Sequence, residues 1–445
     1  MGTLVRHFYL RWLLILAAIP VQSTHSLSFG LKMSSSEGIR VDLKQYKDLA
    51  SKRTPFDNDE VSNVLKSLRN VTPPPSQSSS FNEEKLRSFL KERAHLNHKE
   101  WSTTGTSADS LKSILLPEGK TIETDEAFQT AFRRVLEEGN WKGAAEFSSS
   151  QDDAYKPWIV LVTGVNGIRK TTTIYEPWFP QVLREALNFA ADDGSSPPID
   201  AETVIPVGSN SFFRQLDHMI AVLANEDFAR LYQLENLKEY AELKDGVFTR
   251  YRKAAESLGV LLLKEAQGRK MNAMVETSGR DIAMFRYIDH FFDDKDYNKL
   301  VIHFKVNDLS HAEKSVDLRM EKEMQDGKAA MVSNDPQKII DANAGGEYAW
   351  LRVSKYHLSA REVCFKNHLP TYSFITAGPY GSEVLKGVQA DSARVWESVI
   401  SGDDAGKTWF KASIAIEAHD TMPWKAGAVA PDGTKGKSFT FTPRK

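Results

Sequence analysis

Apolar residues follow two different periods along this chain, and the change of period divides it. From Trp158 onward, short β-prone runs alternate with stretches of helical spacing, the signature of a parallel α/β sheet. Trp158–Thr163 (WIVLVT) is closed off by Pro157 and Gly164 and reads as a buried strand. Thr203–Val207, Met271–Glu276 and Leu300–Val306 are expected as the second, third and fourth strands. Between them the pattern predicts helices over Thr171–Ala191, Ser211–Ala266, Ile282–Phe292 and Ala312–Gln325. The first of these must break or restart at Pro177 and Pro180.

Ahead of this block, Ser80 and Glu83 have capping-box spacing, and Leu86, Phe89, Leu90 and Arg93 follow at helical intervals. Ser102–Asp109 reads as a polar loop. Phe128, Ala131, Phe132, Val135 and Leu136 mark another helix, stopped by Gly139. Residues 81–150 are therefore expected to be a helical N-terminal region, and residues 29–80 an extended leader and linker whose end, Thr72–Ser80 (TPPPSQSSS), should not pack. Gly345-Gly346 reads as a turn. Beyond it, β-like pieces at Thr371–Thr376, Trp409–Glu417 and Ser438–Thr442 make a mixed C-terminal extension over 346–445.

The length of 445 residues allows two or three domains, or one large domain with extensions. A net charge of −2 gives no electrostatic case for nucleic acid. The single cysteine, Cys364, excludes an internal disulfide and reads as a small core residue. Residues 1–28 have the layout of a secretory signal peptide: Arg6 and Arg11, the apolar run Trp12–Val21, then Ser23, Ser26 and Ser28. The run is too short to span a bilayer comfortably, and no other segment could do so. The Ser26-Leu27-Ser28-Phe29 junction resembles the two-part plastid-targeting sequence of algae with secondary plastids. The basic residues that follow are mixed with Glu37, Asp42 and Asp48, whereas transit peptides are usually poorer in acid. Initiation at Met33 would remove the signal.

The chemistry begins where the Trp158–Thr163 strand ends. Gly164-Val165-Asn166-Gly167-Ile168-Arg169-Lys170-Thr171-Thr172 keeps the spacing, lysine and threonine of the Walker A phosphate loop, with Arg169 in place of its last glycine. Successive backbone N–H groups at a helix start converge on one cavity, and a lysine adds a full charge. Lys170 is thus expected to reach the β- and γ-phosphates, and the Thr171 hydroxyl to ligate Mg²⁺. Arg169 either swings out, adds a charge to the phosphates, or marks a degenerate site. At positive φ it costs about 1–2 kcal/mol. Other strand ends are the natural places for partners. They supply Asn210, reached from the second strand, and Glu276, Thr277, Ser278, Arg280 and Asp281 from the third. Glu276 could orient Mg²⁺ or a nucleophile, and Arg280 could meet phosphate. The histidines do not share metal-ligand spacing and read as isolated polar or core residues.

These segments resemble the zeta toxin family of ATP-dependent kinases. The likeness is carried by the phosphate loop, Asn210-Ser211-Phe212, Glu276–Arg280, Val306-Asn307 and the charged helix with Arg319-Met320-Glu321, in that order over Trp158–Asn343. The resemblance implies a P-loop NTPase-type parallel sheet flanked by helices over 151–345. It also implies ATP and Mg²⁺ as cofactors and a small-molecule phosphoryl acceptor, a nucleotide sugar in the bacterial members. Arg319 would stabilise the γ-phosphoryl group. In that family an acidic general base follows the second strand. The alignment puts Asn210 there, so Glu276 or Asp281 would have to supply base or orientation. The family's second arginine has no match; Lys328 is the nearest cation.

A second resemblance is to signal-recognition-particle GTPases, through Gly164–Thr173 and Glu276–Arg280, but their guanine-reading Thr-Lys-x-Asp motif is absent. A catalytically inactive nucleotide-binding module is the remaining alternative, favoured by Arg169 and Asn210. No protein partner is legible in the sequence.

Overall fold

The computed structural model describes residues 36–72, 81–333, 335–343, 381–401, 406 and 408–442. The expected signal (1–28), the Pro/Ser-rich stretch after Thr72, the β-like piece Thr371–Thr376 and Cys364 lie outside the described residues. Among those described, no helix is long and apolar enough to cross a membrane.

The fold is α/β. Seven strands form one sheet: β1 (Trp158–Thr163), β2 (Ser211–Phe213), β3 (Asn272–Glu276), β4 (Asn298–Val306), β5 (Phe410–Glu417), β6 (Trp424–Val429) and β7 (Lys435–Phe441). Their spatial order is β2-β3-β1-β4-β5-β6-β7. The first five in that order run parallel, with Ile159 beside Ala273 and Trp158 beside Asn298. β6 and β7 close the edge as antiparallel strands. Because β1 is covered on both faces, its alternate residues enter different cores. Ile159 and Leu161 pack with the N-terminal helices and the long helix Leu237–Gly268. Val160 and Val162 pack with Val182, Leu183 and Ala186 of the helix Phe179–Asp192.

The first, third and fourth strands stand where the hydrophobic runs put them. The second does not. Thr203–Val207 is not a strand, although Ile205 and Val207 are buried. Asn210 explains why: its Oδ1 accepts from the Val207 N–H at 2.8 Å and its Nδ2 donates to the Ile205 carbonyl at 3.0 Å. The backbone there is satisfied by a side-chain clip, and the sheet partner is Ser211–Phe213, taken from the front of the stretch expected to be helical. The rest of that stretch forms the helices Leu216–Leu223, Asn225–Leu231 and Leu237–Gly268. The prolines act as expected: Lys170–Ile174 stops short of Pro177, and a new helix starts at Phe179 with Pro180 in its first turn.

Two N-terminal expectations are corrected. Ser102–Asp109 is inside a helix, Trp101–Leu115. Its hydroxyls bond back one turn, Thr104 to Glu100 O (3.0 Å) and Thr106 to Ser102 O (3.1 Å), so a polar sequence stays helical. Its small buried side, Thr104, Ser107 and Ala108, lies against the long helix, where Lys253 Nζ donates to Thr104 Oγ1 at 2.7 Å. The helix before it, Glu83–Arg93, is capped by Asn82 rather than Ser80. Residues 36–72 are not extended. They carry the helices Ser36–Ser51 and Asn58–Val71, and Leu43, Val61 and Val64 are fully buried. Glu60 pairs with Arg250 of the long helix (2.5 and 2.7 Å). At the other end, β5, β6 and β7 continue the same sheet, so residues 410–441 are part of the architecture expected to stop at 345.

Asp227 shows how tightly the first helix is held. Its buried carboxylate accepts from Tyr251 (2.7 Å) and Tyr46 (3.1 Å), with Arg230 at 3.6 Å and the charge of Glu60 also felt. Burial pushes its carboxyl up to about 6, against the pull of both tyrosines and Arg230. A raised folded pKa stabilises the fold below the unfolded value near 4, and that contribution is lost as pH rises through about 6. Chemical denaturation across pH 4–7.5 should show the wild type losing, relative to Asp227→Asn, on the order of 3 kcal/mol. Parallel pH profiles would exclude this assignment.

Candidate functional site: a phosphate loop and the strand ends around it

The parallel strands bring their C-terminal ends to one edge of the sheet, and a cavity of roughly 730 Å³ opens there. Its floor is the loop after β1. Gly164 (φ 130°) and Gly167 (φ 89°) hold backbone conformations that L side chains rarely adopt. A Cβ on Gly164 would sit 2.6 Å from the Phe304 carbonyl oxygen, and one on Gly167 2.4 Å from that of Ala312. Val165 and Ile168 anchor the loop by burying their side chains. Arg169 is left-handed (φ 66°, ψ 31°), so this arginine does occupy the position where the Walker pattern has glycine for conformational reasons. The helix that follows, Lys170–Ile174, is only five residues long. Its unpaired first-turn N–H groups are present, but a macrodipole built over many turns is not.

Lys170 is buried in the loop's own mouth. Its Nζ donates to Gly164 O (2.7 Å), Val165 O (3.0 Å) and Asn166 Oδ1 (3.4 Å), and lies 3.1 Å from Glu276 Oε1. Thr171 Oγ1 donates to Glu276 Oε2 at 2.7 Å. Glu276 ends β3 directly beside Val162 of β1, so strand register delivers it to the loop. Burial pushes its carboxyl up, yet Lys170, Thr171 and Arg319 together hold it below the ordinary carboxylate range. The hydroxyl–carboxylate pair is an oxygen donor set of the kind Mg²⁺ accepts alongside phosphate oxygens. Among the described residues no cluster of three or more His, Cys, Asp or Glu could hold a metal by itself.

Asn166, Gly167, Arg169, Lys170, Thr171, Thr172, Glu276, Thr277 and Arg319 all line the one cavity, as the sequence pattern anticipates. Six expected residues do not: Gly164, Val165 and Ile168 belong to the loop without lining the cavity, and Arg280, Asp281 and Asn210 are engaged elsewhere. Arg280 turns away to Asp391 of the helix Gly381–Ser401 (3.1 Å). Asp281 is exposed, accepts from the Ala283 N–H (2.9 Å) at a helix start, and faces Lys99 at 3.8 Å. Asn210 is the backbone clip described above. Lys328 pairs with Glu235 (3.2 Å).

The residue missed is Asp217. It lies four positions beyond β2, in the first turn of the helix Leu216–Leu223, and lines the cavity. Placing the second strand at Thr203–Val207 shifted the expected acid to Asn210. The β-prone pair Phe212-Phe213 was the signal that would have moved it to Asp217. Tyr175, Asn140 and His218 were also missed. The buried Tyr175 hydroxyl has no hydrogen-bond partner, and burial keeps His218 neutral, well below its ordinary value. The far wall is a fixed polar network: buried Arg214 donates to Glu256 (2.7 Å) and Tyr287 (3.0 Å), and Arg252 to Glu256 (3.0 Å).

No protein-family model matches the chain, and no curated protein matches it. Among solved structures, a chain of the PezAT chromosomal toxin–antitoxin system of Streptococcus pneumoniae is similar over 59% of this chain and 96% of that one. The identity is 14% and the TM-score 0.26. A likeness that loose carries nothing about function, and the site's own geometry has to.

The loop's tolerance can be measured directly. Gly167→Ala meets both an unfavourable φ and a carbonyl oxygen, and should destabilise the fold by on the order of 2–4 kcal/mol in chemical denaturation. A loss below about 0.5 kcal/mol would mean the loop does not hold this conformation.

Proposed function

We propose that the cavity binds ATP with Mg²⁺, and that the chain transfers the γ-phosphoryl group to a hydroxyl of a small molecule, as zeta toxin kinases do. The observation behind this reading is the meeting of five side chains at one cavity: Lys170 and Thr171 from the helix after β1, Glu276 from the end of β3, Asp217 from the first turn of the helix Leu216–Leu223, and Arg319 from within the helix Leu309–Ser333. The volume is of the size that suits a bound small molecule. Its lining is polar, with Asn140, Gln215 and Arg252 beyond the loop, which suits a polar acceptor such as a nucleotide sugar.

In this reading the loop N–H groups and Lys170 hold the phosphate chain, and Arg319 faces its end. Mg²⁺, ligated through Thr171 with Glu276 beside it, would spread the charge of the phosphate oxygens. Asp217 takes the proton from the acceptor hydroxyl. That oxygen forms the new bond to the γ-phosphorus as the bond from phosphorus to the bridging β-oxygen breaks, leaving ADP and a phosphate ester. Asp217 supplies the base that Asn210 cannot, and neither Glu276 nor Asp281 is needed for that role.

Two variants test it. Lys170→Ala should weaken ATP-Mg²⁺ binding by about tenfold or more in calorimetry. Unchanged binding would remove the nucleotide from this loop, and a clear preference for GTP would move the reading to a GTPase. Asp217→Asn should retain ATP binding but lower phosphoryl transfer by about 10²–10⁴-fold. Transfer at the wild-type rate would exclude it as the base.

A further inference from the structure

Arg169 breaks the Walker pattern, and its surroundings suggest what it gains there. Its backbone is left-handed, a conformation glycine adopts freely. Its half-buried side chain nevertheless lines the cavity beside Lys170 and Thr171, and its Nε is buried with no hydrogen-bond partner. Arg319, half-buried on the helix Leu309–Ser333, lines the same cavity. Neither guanidinium makes a hydrogen bond or ion pair with any described residue. The other arginines of the cavity are committed: Arg214 and Arg252 share Glu256, and Arg134 reaches the Ile340 and Asp341 carbonyls. Glu276 is engaged by Lys170 and Thr171. Two like charges therefore share one cavity without a salt bridge to either, although the Arg319 charge is felt by Glu276 and Asp217 lines the same cavity. Burial and then the Arg319 charge pull the Arg169 guanidinium down to about 10. A multiply charged anion between the two would relieve the repulsion.

We infer that Arg169 and Arg319 form a two-guanidinium clamp on the terminal phosphoryl group of the bound triphosphate, the residue in the glycine position supplying the second arginine. The inference rests on the nucleotide reading above. A planar guanidinium offers paired donors to phosphate oxygens, which lysine cannot match. Such donors act most strongly where charge redistributes during transfer. A clamp on the terminal group also discriminates: ATP has that group and ADP lacks it.

The test is R169G, which restores the Walker glycine and relieves the backbone, so the variant should fold. Wild type and R169G are titrated with ATP-Mg²⁺ and with ADP-Mg²⁺ by calorimetry. ATP affinity should fall by about tenfold or more while ADP affinity moves by less than about threefold. R169K, which keeps the charge without the fork, should recover part of the ATP preference. In R169G/R319A the combined loss should differ from the product of the single losses, because both act on one group. Unchanged or tighter ATP binding by R169G would show that Arg169 obstructs the cavity and overturn the clamp. Equal losses for ATP and ADP would assign the effect to the loop as a whole and overturn it too. A wild-type chain that binds neither nucleotide removes the nucleotide reading itself, and the clamp with it.

Discussion

One carboxylate fastens together the two strands on which the cavity is built. Glu276 leaves the end of β3 and meets both Lys170 and Thr171, the first two residues of the helix that leads away from β1. An ammonium group buried this far is tolerable only when it is paired and its remaining protons are satisfied. The Gly164 and Val165 carbonyls supply the rest of what Lys170 needs. The loop is therefore closed around its own lysine by acceptors alone: two carbonyls, the Asn166 amide oxygen and the Glu276 carboxylate. Remove Glu276, and both the placement of Lys170 and the orientation of the Thr171 hydroxyl lose their reason.

How much of this was legible depended on whether the signal was local. A run such as Trp158–Thr163 can be read because six apolar residues between a proline and a glycine have few other uses. The loop was readable because its glycines, lysine and threonine are bound by spacing alone. Asp217 was not, because finding it requires knowing which short segment pairs with β3. Thr203–Val207 and Ser211–Phe213 are equally plausible as sequence, and the side chain of Asn210 decides between them by occupying the backbone of the first. Arg280 shows the same limit from the other side. It stands in a phosphate-meeting position by pattern, but Asp391, far along the chain, claims it.

The N-terminal helices make a related point. Residues 36–72 looked like a leader because composition near an apparent targeting segment invites that reading. Their burial is decided by partners far ahead: Arg250 for Glu60, and Tyr251 together with Asp227 for Tyr46. Ser102–Asp109 looked like a loop because hydroxyl-rich stretches compete with helix backbone, and here the Thr104 and Thr106 hydroxyls find acceptors within the helix instead. In both cases the missing information was tertiary.

The position of β5 has a consequence for how the molecule comes into being. β4 ends at Val306, while the strand that covers its free edge begins only at Phe410. During synthesis from the amino terminus, the loop and four strands can assemble while β4 still presents an open row of peptide groups to neighbouring nascent chains. Such an edge invites mispairing until its proper neighbour arrives. Emergence of Phe410–Glu417, rather than formation of the half that carries the phosphate loop, is the step that seals this edge of β4.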